Sequence, residues 1–335
     1  LVPFYDIPPM AGALIEVAFE GGHGTAAGMA GTFEELGFPE AFDLAIGLAT
    51  VGILSGVIFG IILINWGIRS GKTKLVKDVK DFSRLKKQGI MEFQNREPAA
   101  SMTLRPESIE PLSFHFAIVS LAVLIGYVLL QGLIWLESVT WGAWTGSEVL
   151  TYVPLFPIAM IGGILLQLIF DKTDHHEVLD RRMIARIQGF ALDVLILTAI
   201  ASVSIDVIGE YFVPFIVLAV AGVTWNIVGF LILAPRIIPN YWFERGIGDF
   251  GQSMGVTATG LLLMRITDPD NESPAFEAFG YKQLIYEPVL GGGLVTALSV
   301  PIVAQFGAIP MLVVSAIMSM IGILIGLFYF GKNRA

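Results

Sequence analysis

The chain has no cysteine, which excludes disulfides and thiolate chemistry. Charge is scarce too: Asp, Glu, Lys and Arg make up 15% of 335 residues, against about 25% in ordinary soluble domains. No Lys or Arg occurs before Arg69. There is no HExxH run, no Ser/His pairing, no closely spaced Asp pair at membrane depth and no P-loop lysine. These absences argue against a membrane enzyme and against an ATP-driven pump. His23 has no Cys or second His beside it, so it is not a metal site, and His175-His176 falls in a loop where solvation is expected.

Apolar residues are abundant, at 55% of the chain. Uncharged stretches long enough to cross a bilayer run over Leu44–Ile68, Leu112–Leu136, Leu150–Phe170, Tyr211–Pro235 and Pro288–Phe330. The last is too long for one helix, and Gly307-Ala-Ile-Pro310 is the expected turn within it. Ile187–Ile205 is a further span carrying a single acid, Asp193. The fold class expected is an all-α polytopic membrane protein.

The distribution of cations gives an orientation. Ten of the twenty Lys and Arg lie between Arg69 and Arg105, which makes that loop cytoplasmic by the positive-inside rule. Counting crossings outward puts Glu137–Val149 and Asp206–Glu210, which have no Lys or Arg, outside. It puts Asp171–Arg186, Arg236–Lys282 and the tail with Lys332 and Arg334 inside, so every cation lands on one side. The net charge of −9 says nothing about partners beyond this, and no nucleic acid is expected. The basic linker, residues 69–111, is expected to be a solvated topology anchor; an amphipathic helix on the inner leaflet is the alternative.

Two glycine-rich breaks interrupt the apolar pattern, each after an acid: Glu20-Gly-Gly-His-Gly-Thr25 and Asp249-Phe-Gly-Gln-Ser-Met-Gly255. Glycine and small hydroxyl residues let a chain open its backbone and turn back inside a membrane. Ile7–Phe19, the tip Glu20–Thr25 and Ala26–Leu36 read as one hairpin, followed by a helix over 40–68. Ile237–Phe250, the turn Gly251–Ser253 and Met254–Thr267 read as a second, followed by a helix over 283–306. The crossing count makes the hairpins re-entrant from opposite faces, the pattern of an inverted-repeat secondary transporter. Residues 1–68 then close a first repeat, 112–306 form a second, and 307–335 add an extra helix and tail. Asp43…Gly47 and Glu287…Gly291 match in register after the two hairpins.

Gly21-Gly-His-Gly-Thr25 with its small-residue helix, and Gly255-Val-Thr-Ala-Thr259 ahead of Gly260, resemble the signature hairpins of bacterial sodium/glutamate symporters. That family stands with the 2-hydroxycarboxylate transporters. The resemblance implies sodium-coupled symport of L-glutamate across the bacterial inner membrane by alternating access. It also implies a homodimer with a scaffold and a moving domain that holds both hairpins. The family places several helices ahead of the first hairpin. This chain starts at Leu1 with no basic leader, so no signal peptide is expected and those helices are expected to be missing from it. Gln252-Ser-Met254 is less glycine-rich than the family's second tip, and Arg265 and the last helix are further departures.

A dicarboxylate amino acid needs hydrogen-bond donors for its carboxylates, and sodium needs oxygen ligands. Broken helices expose both kinds of backbone group. The expected substrate site therefore joins Gly21, Gly22, His23, Gly24 and Thr25 to Gly251, Gln252, Ser253, Gly255, Val256, Thr257 and Thr259. Thr25, Ser253, Thr257, Thr259, Glu20 and Asp249 are the candidate sodium ligands, sodium being the coupling ion and no other cofactor being expected. The competing structural reading is that these glycines merely allow tight helix crossing. Glu16, Asp193, Asn65 and Asn226 are costly polar groups at membrane depth, and Glu16 shares a helix face with Glu20. Arg265 either snorkels to the cytoplasm or reaches a substrate carboxylate. Carriage of another organic anion, such as a hydroxycarboxylate, with sodium or protons is the alternative function, and a channel the next.

Overall fold

Inside a bilayer no water is present to satisfy backbone N–H and C=O groups, so a spanning chain must bond them internally. The computed structural model describes residues 2, 4–76, 93–96, 98–146, 148–174 and 177–332, and every regular element among them is helical. The central stretch of the basic linker and His175-His176 lie outside the described residues.

A 3-10 turn at Pro9–Ala13 leads into α1 (Leu14–Phe19), followed by α2 (Gly22–Gly28), α3 (Ala30–Glu35) and α4 (Glu40–Arg69). Then come α5 (Pro111–Val139), α6 (Leu155–Thr173), α7 (Arg181–Ser202) and α8 (Phe212–Val228), which runs on through a π turn to Ile237. The chain ends with α9 (Trp242–Gln252), α10 (Thr257–Thr267), α11 (Ala275–Tyr286), α12 (Leu294–Phe306) and α13 (Ala308–Ile325). Among the described residues six helices are long and apolar enough to cross a membrane: α4, α5, α6, α7, α8 with its extension, and α13 with the turn after it. Large apolar side chains such as Leu124, Phe190, Val220 and Leu312 stand exposed on these helices, as a lipid-facing surface requires.

α4 is the spine. Glu40 and Asp43 sit in its first turn and Arg69 in its last, each sign matched to the helix dipole. Its 30 residues extend about 45 Å, more than the hydrocarbon thickness. Gly52, Gly56 and Gly60 recur at helical spacing on one face. A Cβ at these positions would lie 2.7 Å from the Met254 carbonyl, 2.8 Å from Met254 Cβ and 2.5 Å from Leu263. At Gly67 it would lie 2.4 Å from the Phe243 ring. α9 and α10 therefore lie along the second half of α4, with arms directed toward Arg69. They also close tightly on each other: a Cβ on Gly251 would be 2.7 Å from Gly260 Cα, and one on Gly260 2.4 Å from the Gly248 carbonyl.

The first break lies along the other half of α4. α1, α2 and α3 all pack on α4, and Phe19 reaches Gly52. Both arms open toward one loop. Thr32 Oγ1 donates to the Tyr152 carbonyl at 2.9 Å, while Pro9 shares a cavity wall with Val303 and Ala308, and Gln305 donates to the Glu148 carbonyl at 2.6 Å. The buried Glu137 carboxylate pins that loop, accepting from Val149 N–H at 3.0 Å, Leu150 N–H at 2.8 Å and Trp141 Nε1 at 3.0 Å. α5 and α6 form a separate tight pair, with Gly126 against Ala159 and Gly162 against Ala122. Asp180 caps α7 by accepting from Arg182 N–H at 2.7 Å. The Ser101 N–H holds that carboxyl below its usual range.

Several boundaries differ from the sequence reading. The first turn is confined to Glu20–Gly21, because Gly22 takes φ +66° and the helix resumes at once. The second break spans Ser253–Val256, with Gly251 and Gln252 still helical, and its inbound arm starts at Trp242 rather than Ile237. The helix read over 283–306 begins earlier, at Ala275, and is broken at Glu287–Gly293. Pro288 supplies no N–H, and Gly291-Gly-Gly293 has little helix propensity, so the run that counted as apolar and uncharged could not stay helical.

If α9 and α10 depend on the small face of α4, Gly52→Val should destabilise the protein by about 1–3 kcal/mol through overpacking. Gly132→Ala, whose Cβ meets nothing within 4 Å, should leave the melting temperature of the detergent-purified protein unchanged. Equal melting temperatures for both variants would contradict this packing.

Candidate functional site

The tips of the two breaks touch. A Cβ on Gly22 would lie 2.0 Å from the carbonyl oxygen of Gly255, so the two backbones are in direct contact there. Gly22 has φ +66° and Gly255 φ +122°, values that side-chain-bearing residues rarely adopt. Gly255 in turn rests on α4, where its Cβ would meet Ile53 at 3.2 Å and the Ala49 carbonyl at 3.4 Å. The contact thus falls near the midpoint of the spine.

A third break joins them. Gly292 has φ +84°, and a Cβ there would lie 2.9 Å from Gly21 Cα. Thr25 Oγ1 donates to the Gly292 carbonyl at 3.3 Å. One turn later, Thr296 Oγ1 bonds Glu16 Oε1 at 2.9 Å. On the other side of the break Gln283 Nε2 donates to Thr257 Oγ1 at 2.9 Å and to Glu287 Oε2 at 3.3 Å, and Thr257 Oγ1 donates to Glu287 Oε1 at 3.4 Å. Lys282 Nζ reaches Asp249 Oδ1 at 2.9 Å and Gln252 Oε1 at 2.8 Å. Lys282, Gln283, Glu287, Gly292 and Thr296 were missed as site residues by sequence reasoning. The Pro288 and triple-glycine signal could have found Glu287, Gly292 and Thr296, which lie in or beside that break.

The residues expected from sequence separate into groups. Glu20 faces the Ser253 side chain across the junction, and Asn226 Nδ2 donates to the Ser253 carbonyl at 2.7 Å. His23 is buried, with Nε2 3.0 Å from Thr50 Oγ1 and Nδ1 without a partner among the described residues. Val256 is the extended residue from which α10 starts. Gly24 faces open space. Gly251 is spent on closing α9 against α10, and Thr259 is buried with its methyl against Gly56 of α4. Asp43, paired by register with Glu287, lies elsewhere and accepts from Ser204 N–H at 2.7 Å. Arg265 and Asp193 are exposed, and Asn65 donates to the Ile61 carbonyl at 2.9 Å on the surface of α4.

A family model described as sodium/glutamate symporter matches residues 5–267. This chain belongs to the sodium/glutamate symporter family. The match spans the first break, the spine and the whole of α9 and α10. Sodium/glutamate symport is the function it indicates, and the hydroxycarboxylate alternative is not favoured. The family is one of transporters rather than enzymes. No curated protein and no solved structure matches the chain.

Beside the junction this symporter has a cavity of about 810 Å³ between α1, α8, α12 and α13. Glu16, Glu20, Asn226, Ser253, Ser299 and Ser315 give it polar wall, and its lining includes no Lys, Arg or His. Its two carboxyl groups and the absence of a lining cation among the described residues make the cavity wall acidic.

The backbone contact sets a sharp pair of variants. Gly22→Ala combines a φ that side-chain-bearing residues rarely adopt with a clash against the Gly255 carbonyl. It should lower sodium-dependent glutamate uptake at least about tenfold. Gly31→Ala, on α3 and with nothing within 4 Å of its added Cβ, should retain uptake near wild type. Equal uptake by the two, in liposomes carrying equal amounts of monodisperse protein, would dissociate the tip contact from transport.

Proposed function

We propose that this symporter binds L-glutamate and sodium where its hairpin tips meet, and carries them across the bacterial inner membrane by alternating access. The observation that carries this reading is the backbone contact of Gly22 with Gly255 at mid-spine, with the Gly292 break packed on Gly21. Breaks at membrane depth leave N–H groups for an anion and carbonyls for a cation in one place.

In this reading Gly21, Gly22, His23, Gly24 and Thr25 face substrate together with Gln252, Ser253, Gly255, Val256 and Thr257. Sodium takes Glu20, Ser253 and Thr257 with freed carbonyls, approaching through the acidic cavity; hard cations favour such oxygen sets. Thr25 bonds the Gly292 carbonyl and Asp249 bonds Lys282, so neither is assigned to the sodium shell. Gly251 and Thr259 act in packing, against Gly260 and Gly56.

The loop of residues 69–111 and the C-terminus lie in the cytoplasm, which the grouping of all Lys and Arg on one side of the crossing count supports. The first hairpin is then re-entrant from outside and the second from inside, within repeats closing at residues 68 and 306. The exposed apolar faces of the spanning helices serve lipid and, in a homodimer, a second copy.

Protein reconstituted in liposomes should accumulate L-glutamate with an inward sodium gradient and not with an equal potassium gradient. Glu20→Gln should raise the sodium concentration for half-maximal uptake by about tenfold or more, since a charge-assisted ligand is lost. The half-maximal glutamate concentration at saturating sodium should move much less. Unaltered sodium dependence in Glu20→Gln would remove Glu20 from the sodium site.

A further inference from the structure

The second tip presents charges of both signs at one point. Lys282 Nζ lies 2.9 Å from Asp249 Oδ1, and their side chains are 30% and 45% exposed, so the pair is open to its surroundings. Gln252, itself buried, accepts from the same ammonium at 2.8 Å. Glu20 of the first tip is close enough to feel both charges. Lys282 stands on α11, past the residues that the family model matches, and reaches back to the last turns of α9. Such an open pair is weakly held and is easily exchanged for other partners.

L-Glutamate brings one ammonium and two carboxylates. Tip N–H groups suit carboxylates but give the ammonium nothing to donate to. We propose that the Lys282–Asp249 pair is the reader of the α-amino acid group: on binding it opens, Lys282 takes the substrate α-carboxylate and Asp249 takes the α-ammonium. One ion pair is exchanged for two, and no charge is left unmatched. The side-chain carboxylate remains for the tip backbone. The pair thereby selects an amino dicarboxylate over a plain dicarboxylate, which would leave Asp249 unpaired. This assignment rests on the reading of the tips as the transport site.

The test is competition against labelled L-glutamate uptake into liposomes under an inward sodium gradient. In the wild type, glutarate, which lacks the ammonium, and 4-aminobutyrate, which lacks the α-carboxylate, should each compete at least about tenfold more weakly than glutamate. In Asp249→Asn the glutamate constant should weaken roughly 10–100-fold, whereas that of glutarate should stay within about fivefold, the range an exposed pair alone explains. Lys282→Met should weaken glutamate in the same way while sparing 4-aminobutyrate. Each comparison is a ratio on one preparation, so partial misfolding cancels. The double variant Asp249→Lys with Lys282→Asp restores the tie between α11 and α9 but reverses its sense, and should stay deficient. Recovery of wild-type uptake by the double variant would make the pair a structural tie and overturn the proposal. Glutarate competing as well as glutamate in the wild type would overturn it too. A wild type with no sodium-dependent glutamate uptake would bring down the transport reading itself, and this proposal with it.

Discussion

The structure depends on one backbone contact, Gly22 against the carbonyl of Gly255. A side chain is disfavoured at both, because each has positive φ, and an added Cβ would lie 2.0 Å from the Gly255 carbonyl at Gly22 and 3.2 Å from Ile53 at Gly255. The constraint spreads outward from there. Gly255 has to rest on α4, so α4 needs small residues where α9 and α10 lie, and Gly52, Gly56 and Gly60 supply them. Phe19, at the end of α1, then fills the space between Gly52 and Gly222 and locks α8 to the first tip. Small-residue contact is the general means of helix association in lipid. Here it also brings three interruptions of helical backbone to one level.

Opened backbone at membrane depth is tolerated only where it is buried in protein or lines a polar cavity. This symporter does both. The Ser253 carbonyl is capped by Asn226, and the Gly292 carbonyl by Thr25. The Glu16 and Glu20 carboxylates line the cavity beside them. Partners drawn from α1, α2, α8, α9, α11 and α12 therefore converge on the junction and the cavity beside it. Three glycines with positive φ, a conformation that costs glycine no steric strain, let an otherwise helical chain expose those groups.

Much of this was legible in the sequence, for definite reasons. Uncharged runs and the one-sided cations mark spanning helices, and α4, α5, α6, α7, α8 and α13 follow them closely. Glu20 to Thr25 and Asp249 to Gly255 are legible because glycine clusters beside an acid rarely interrupt an apolar run without cause. The limits of each turn were not legible, since one positive-φ glycine, Gly22, suffices to reverse the chain and Thr25 and Ala26 then prefer helix. The third break was hidden by its own apolarity: Leu290 to Leu294 reads as membrane span unless propensity is weighed against hydropathy. Lys282 and Gln283 were hidden differently, because their partners Asp249, Gln252 and Thr257 are brought near only by the tertiary packing of α11 on α9 and α10. Gly251 and Thr259 show the converse case, since spacing put them beside the tip and packing turned them to Gly260 and Gly56.

The central claim is that two tips, far apart in sequence, form one ligand site. The chain has no cysteine, so a single introduced thiol reports on its own position alone. The most direct measurement is the rate of maleimide labelling at Gly24→Cys and, separately, at Ser253→Cys in membranes, with and without sodium and L-glutamate together. The account predicts that sodium with glutamate slows labelling at both tips, and that potassium with glutamate slows neither. Protection of one tip while the other labels at an unchanged rate would contradict a shared site.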